Sequence, residues 1–240
     1  MTLKDKRVVV LGGTSGIGFA IAKAVAESGG TPVVVSRKPE SVESAIGRLP
    51  SGAEGHTADV TSETEVAALF EKIGEIDHIA YTAADNVVTG PLSDMDLGVA
   101  RDFLGARFWG PLTVAKYGAR HIRPGGSIVL TSGIAGARPP GPGWAMGAAV
   151  CSAIDGLARA LAIELAPIRV NAVAPGWTRT PVWRAIPEDA REALFAEVGA
   201  KLPVGRVALP EEIAASYLFL MESPYTTGHT VVSDGGSLLV

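Results

Sequence analysis

RVVVLGGTSGIGFAIA, residues 7–22, decides how this chain is to be read. An apolar run, Arg7–Leu11, turns through Gly12-Gly13-Thr14-Ser15-Gly16-Ile17-Gly18 and passes directly into a run of helical period from Phe19. Glycines at such a turn let the backbone bend tightly and approach a ligand closely. The free N–H groups and positive dipole end of the helix that follows suit a pyrophosphate. A glycine cluster alone is also what an ordinary turn looks like. Its place between a buried strand and a helix, inside a βαβ unit, favours the phosphate-binding reading.

Working outward, short apolar runs alternate with longer stretches of helical period. Pro32–Ser36 precedes Pro39–Leu49, Glu54–Ala58 precedes Glu63–Gly74, and Ile76–Tyr81 precedes a long stretch to Ile122. Ser127–Ser132, Gly147–Ala166, Ile168–Ala174, Pro187–Ala200, Pro210–Glu222 and Thr230–Ser233 continue the series. This alternation predicts an α/β fold, a doubly wound parallel sheet with helices on both faces. Val33-Val34-Val35 and Ile128-Val129-Leu130 are apolar throughout, as strands buried on both sides must be. No linker, repeat or low-complexity tract divides the 240 residues, so one Rossmann-like domain spanning 1–240 is expected. Pro111 lies within the long fourth helical stretch, where its missing N–H predicts a bend near Gly110.

Composition narrows the function. The chain is 47% hydrophobic and 19% charged, with a net charge of −4 and no run of Lys or Arg. Nucleic acid is therefore not an expected partner. The apolar run after the charged start is too short for a signal peptide or a membrane span, so no membrane is expected. Cys151 is the only cysteine, which excludes an intramolecular disulfide and a cysteine metal cluster and fits a reducing, cytoplasmic setting. No metal site is expected.

The spacing Gly12-x-x-x-Gly16-x-Gly18 resembles the glycine motif of the short-chain dehydrogenase/reductase family. Asp59-Val60, the stretch Asn171-Ala-Val-Ala-Pro175-Gly176 with Thr178 and Thr180, and Asp234-Gly235-Gly236 extend the resemblance over nearly the whole chain. The resemblance implies that Gly12, Thr14, Ser15, Gly16, Ile17 and Gly18 hold a dinucleotide, that Asp59 and Val60 meet its adenine, and that Pro175, Gly176, Thr178 and Thr180 lie at the nicotinamide end. Ala83 and Ala84, in the loop Tyr81-Thr82-Ala83-Ala84, fall along the same path. At the tip of the second strand stands Ser36-Arg37-Lys38, where an acid would grip the ribose of NAD. A carboxylate there would repel a 2′-phosphate, whereas Arg37 can pair with one, Ser36 can donate to it and Lys38 adds charge. The expected cofactor is NADP(H). The alternative for Arg37-Lys38 is a solvated surface pair.

Family members pass a proton through a tyrosine, with a lysine four residues later, a serine at a strand end and an asparagine in the fourth helix. Alignment through Gly156–Ala162 places Gly147 at the tyrosine position and Cys151 at the lysine position. Gly133 takes the serine's place, with Ser132 one residue earlier, and Arg107 takes the asparagine's. Of the tyrosines, Tyr81, Tyr117, Tyr217 and Tyr225, none has a lysine four residues on.

Arg107 and Ser132 are the candidate catalytic residues. A guanidinium near the nicotinamide can stabilise an oxyanion or bind a carboxylate, though it donates protons poorly. The competing reading is an exposed arginine, or one paired with Asp102 or Asp85. Trp144, just before the vacant tyrosine position, can fill that hole. Asp85 is a further candidate acid, and His121 reads as structural. Trp177, Trp183 and the segment 177–205 are expected to form an apolar lid over a bulky, apolar small-molecule substrate; the alternative is a helix pair packed on the core. The family resemblance implies a homodimer or homotetramer. Three functions compete: an NADP(H)-dependent oxidoreductase with rebuilt proton handling on a carbonyl or alcohol, an inactive NADP(H)-binding sensor or partner subunit, and non-redox chemistry in the same pocket, such as elimination or isomerisation.

Overall fold

A computed structural model describes residues 3–240. Seven strands form one parallel sheet in the order β3-β2-β1-β4-β5-β6-β7. They are β1 (Arg7–Leu11), β2 (Thr31–Ser36), β3 (Glu54–Thr57), β4 (Ile76–Tyr81), β5 (Ile122–Thr131), β6 (Arg169–Pro175) and β7 (Thr230–Ser233). The helices are α1 (Gly16–Glu27), α2 (Pro39–Ile46), α3 (Glu63–Ile73), α4 (Leu97–Leu104), α5 (Gly110–Gly118), α6 (Ala145–Glu164), α7 (Glu188–Lys201) and α8 (Pro210–Glu222).

Side chains alternate across each strand, so an all-apolar strand feeds two cores. Val9, Leu11, Val33 and Val35 pack on one face with Phe70 of α3, Val114 of α5 and Ile154 of α6. Val8, Val10, Val34 and Val129 pack on the other with Ile21 of α1 and Tyr217 of α8. Strand order reverses at β1, which pairs with β2 on one side and β4 on the other. The crevice beyond the carboxyl ends of these strands is where doubly wound sheets hold ligands.

The expected bend near Gly110 takes a definite form. Between α4 and α5, residues Gly105–Trp109 wind as a π-helix, and the N–H of Gly110 bonds to the carbonyl of Gly105, five residues back. In that register the partner of the Ala106 carbonyl is residue 111, a proline with no N–H. The hydroxyl of Tyr81, at the end of β4, donates to that carbonyl instead. Gly110 makes room for it, because a Cβ there would lie 2.1 Å from the Tyr81 oxygen. Arg107 sits in the middle of this widened turn.

The helix α6 is long and apolar enough to cross a membrane by length and composition. In the fold its Ile154, Ala158 and Leu161 are buried in the core beneath the sheet.

Candidate functional site

A cavity of about 720 Å³ opens at the carboxyl ends of the strands, within the range of ligand sites. Every residue named from the sequence for the cofactor lies on its wall: the glycine loop, the Ser36–Lys38 tip, Asp59 and Val60, Ala83 and Ala84, and the Pro175–Thr180 stretch.

The loop's glycines are required by close approach. Gly12 has φ 82°, and a Cβ there would lie 2.7 Å from the backbone nitrogen of Ala83. A Cβ on Gly18 would lie 2.2 Å from the Gly12 carbonyl oxygen, so helix α1 can pack this close only with glycine. Ser15 precedes the helix without a side-chain cap bond, and the first turn holds no acidic residue. Its leading N–H groups thus face the cavity with no protein anion to satisfy them, which fits a pyrophosphate.

Arg37 and Lys38 are exposed at the tip of β2. The Arg37 guanidinium pairs with the Asp85 carboxylate at 2.7 Å, so Asp85 stands as an ion-pair partner. Arg48, which no motif singles out, lies over the Phe19 ring at 4.0 Å and donates to the Thr14 carbonyl at 3.0 Å, bracing the glycine loop. Asp59 accepts two bonds from Thr61, and these hold its carboxyl below the ordinary range against the opposing pull of burial, the largest single influence on it.

At the inner end stands Arg107, largely buried. Its Nη2 donates to the backbone carbonyl of Asp85 at 2.6 Å, its guanidinium lies 4.6 Å from the Phe103 ring centroid, and its Nε is buried with no partner. It forms no carboxylate ion pair with Asp85 or Asp102 among the described residues; Asp102 faces solvent. Burial pulls its pKa below the ordinary arginine value.

Ser132 is absent from the cavity wall. It follows β5, and its hydroxyl donates to the Cys151 carbonyl at 3.0 Å, while Thr131 beside it lines the cavity. Thr131 is bound at both sides, at 2.5 Å to the Tyr81 carbonyl and at 2.5 Å to the Tyr217 hydroxyl. Gly133 and Cys151 are neighbours, since a Cβ on Gly133 would lie 3.0 Å from the thiol sulfur. Burial pushes that thiol up to about 11, with Arg107 opposing. Over Gly147 lies the indole of Trp144, 3.0 Å from where a Cβ would be, so the space beside Gly147 is filled.

Trp144 belongs to an aromatic cluster. Trp177 and Trp183 stack at 4.7 Å with their planes 14° apart, and Trp144 stands 6.0 Å and 6.3 Å from them. Trp183 lines the cavity, and its indole N–H donates to the Thr178 carbonyl at 3.1 Å. The segment carrying it is fastened at its base. Arg179 donates to the Ala208 carbonyl and the Ala208 N–H to the Trp177 carbonyl, each at 2.9 Å, forming a two-bond parallel bridge. His121, by contrast, stacks on Phe70 far along the chain from these groups, consistent with a structural role.

Comparison with known proteins agrees with this geometry. A family profile described as Enoyl-(Acyl carrier protein) reductase matches residues 12–237. The chain is 37% identical over 259 residues to the short-chain dehydrogenase/reductase ucsE of Acremonium sp, covering 99% of this chain and 97% of the relative. It is 33% identical over 254 residues to the short-chain dehydrogenase/reductase malC of Malbranchea aurantiaca, covering 99% and 96%. Among solved structures, a small-chain dehydrogenase in complex with NADPH superposes with a TM-score of 0.83 at 35% identity, covering 99% of this chain and all of that one. The MalC Reductase/Diels-Alderase from Malbranchea aurantiaca gives 0.91 at 33%, covering 99% and 98%. The chain belongs to the short-chain dehydrogenase/reductase family.

Proposed function

We propose that this protein is an NADP(H)-dependent oxidoreductase whose reacting centre is organised by Arg107 in place of the family's tyrosine and lysine. The observation that carries it is one continuous cavity, with an uncapped helix start and the Ser36-Arg37-Lys38 tip along one part of its wall and a buried guanidinium in another. The bound nicotinamide supplies or accepts a hydride. The protein's own residues do the rest. Loop N–H groups hold the pyrophosphate, Arg37 exchanges Asp85 for the 2′-phosphate, and Asp59 and Val60 bound the adenine. Arg107 stabilises negative charge that develops on the substrate. No tyrosine-lysine pair is present, and Gly147, Gly133 and Cys151 occupy the usual positions.

The segment 177–205 acts as a lid, with Trp183 presenting an apolar face to a small-molecule substrate. Exposed Trp109 on the π turn, Ile163 on α6 and Phe219 on α8 support assembly as a homodimer or homotetramer. A lone, mostly buried cysteine supports work in the reducing cytoplasm.

The test is titration with NADPH and, separately, NADH, followed by tryptophan quenching. Preferential NADPH binding supports the reading; absence of binding to either overturns it. A second reading, a cofactor-binding partner subunit without turnover, is favoured by the Trp144 indole over Gly147 and by the lack of a free acid. It predicts that NADPH binds and that Arg107→Ala changes stability alone.

A further inference from the structure

Arg48 follows the last turn of α2 and is exposed at the cavity wall, yet its guanidinium is held from three directions. Its Nε donates to the Ser44 carbonyl at 3.2 Å, one of the carbonyls that a helix end leaves without an intrahelical partner. Its Nη2 donates to the Thr14 carbonyl at 3.0 Å, and its central carbon lies 4.0 Å from the centroid of the Phe19 ring on α1. Leu49, the next residue, is buried in the core shared with Ile21 and Val34 and fixes the base of the side chain. Among the described residues no carboxylate pairs with Arg48, and its Nη1 has no partner.

What Arg48 holds is a peptide plane. A trans peptide is planar, with its C=O and N–H pointing in opposite directions. A Thr14 carbonyl turned towards α2 therefore aims the N–H of Ser15 the other way. That N–H has no acceptor among the described residues, and Ser15 lies on the cavity wall just ahead of α1, whose leading N–H groups are in the same condition. With the plane reversed, the carbonyl oxygen would stand in place of the N–H and repel a phosphate. Neither Thr14 nor Ser15 makes a side-chain hydrogen bond of its own, among the described residues, that would set the plane instead.

We propose that Arg48 is a positioning residue of the nucleotide site: it sets the Thr14–Ser15 peptide so that the Ser15 N–H joins the start of α1 in holding the pyrophosphate. This rests on the reading of the cavity as a dinucleotide site. The guanidinium acts through the loop and does not touch the ligand. Arg48 thus serves a different part of the cofactor from Arg37. Arg37 stands at the strand tip and answers to the 2′-phosphate, whereas the pyrophosphate is common to NADPH and NADH.

The test is calorimetric titration of NADPH and NADH with wild-type, Arg48→Met and Arg48→Lys protein. Loss of one charge-assisted bond to phosphate is expected to weaken both nucleotides about tenfold in Arg48→Met, by the same factor, so that the NADPH-to-NADH ratio keeps its wild-type value. Arg48→Lys keeps the charge and can still donate to the Thr14 carbonyl, so it is expected to recover part of both affinities. Should Arg48→Met not fold, an equal but smaller loss of both nucleotides in Arg48→Lys reads the same way. In amide NMR spectra the Ser15 resonance is expected to move on addition of NADPH in the wild type and to lose most of that movement in Arg48→Met, which a merely structural brace would not produce. Unchanged affinities in a folded Arg48→Met protein overturn the proposal. So does a loss confined to NADPH, which would make Arg48 a partner of the 2′-phosphate. A wild-type protein that binds neither nucleotide instead overturns the dinucleotide reading beneath it.

Discussion

Tyr81 donates its hydroxyl to the Ala106 carbonyl because the helix carrying Ala106 has no N–H to offer it: the five-residue register of the π turn directs that carbonyl at Pro111. A strand-end tyrosine thus completes the turn that positions Arg107. Tyr81→Phe leaves the carbonyl buried and unpaired, at a cost of about 1–3 kcal/mol. Calorimetry is expected to show a melting temperature lower by roughly 3–10 °C. If Arg107 acts as proposed, turnover falls further than NADPH affinity does, because the turn loosens while the glycine loop is untouched.

On the proposed NADP(H) reading, Asp85 and a 2′-phosphate compete for the Arg37 guanidinium. Arg37→Ala removes a charge-assisted contact and is expected to weaken NADPH about tenfold or more, leaving NADH unchanged. Asp85→Asn acts in the opposite direction. It frees Arg37 from an exposed pair worth up to about 1 kcal/mol, so NADPH binds up to about fivefold tighter with NADH unaffected. Calorimetric titration of both nucleotides with both variants measures the two effects, and a loss of NADPH affinity in Asp85→Asn would contradict the competition.

Acid weakens the fold through His78. Its ring lies buried in β4 beside Ser127, 2.9 Å from Nδ1 to Oγ, and burial pulls its pKa from 6.5 to about 4. Between those values the unfolded chain binds a proton that the folded chain refuses, so stability is full above pH 6.5 and falls as pH drops towards 4. The total loss reaches up to roughly 3 kcal/mol. His56, also lowered mainly by burial, adds a slope of the same sign. Urea denaturation at a series of pH values is expected to show this decline, and His78→Gln to flatten most of it.

Cys151 lies on α6 beside Gly133, and its environment makes it inert. With the thiol at about 11, on the order of one molecule in a few thousand carries a thiolate near pH 7.5. Labelling by a thiol reagent is expected to be negligible in the folded protein and complete after unfolding. Cys151→Ala is expected to keep NADPH binding. Rapid labelling of folded protein would show that the helix face around it opens.

Much of this architecture is legible in local pattern. Arg7–Leu11, Ile76–Tyr81, Thr230–Ser233 and Pro210–Glu222 have the observed limits, because apolar runs and prolines mark them directly. β5 starts five residues before the expected Ser127, since Ile122 pairs with Ile76 across an irregular register that hydropathy does not record. The cofactor wall was readable because its residues come in short contiguous motifs. The inner site was less so. The π turn lies in a hydrogen-bond register, and only Pro111 hinted at it. The Arg37–Asp85 pair joins residues 48 apart in the sequence. Trp144 reaches Trp177 and Trp183 only through the packing of α6 against β6, and Ser132 turns to Cys151 by a strand-end geometry that alternation alone leaves open.

The two-bond bridge that joins Trp177 and Arg179 to Ala208 has a meaning for descent as well as for shape. Chain ends held side by side let the intervening span lengthen, shorten or change its sequence while β6 and α8 feel no pull, and closure of a longer loop costs little more than a shorter one. Residues 180–207 are thus an exchangeable cassette clipped onto an inherited nucleotide platform. A lineage can explore new substrates by rewriting that cassette, and an engineer can graft a relative's span at the same two points without redesigning the sheet.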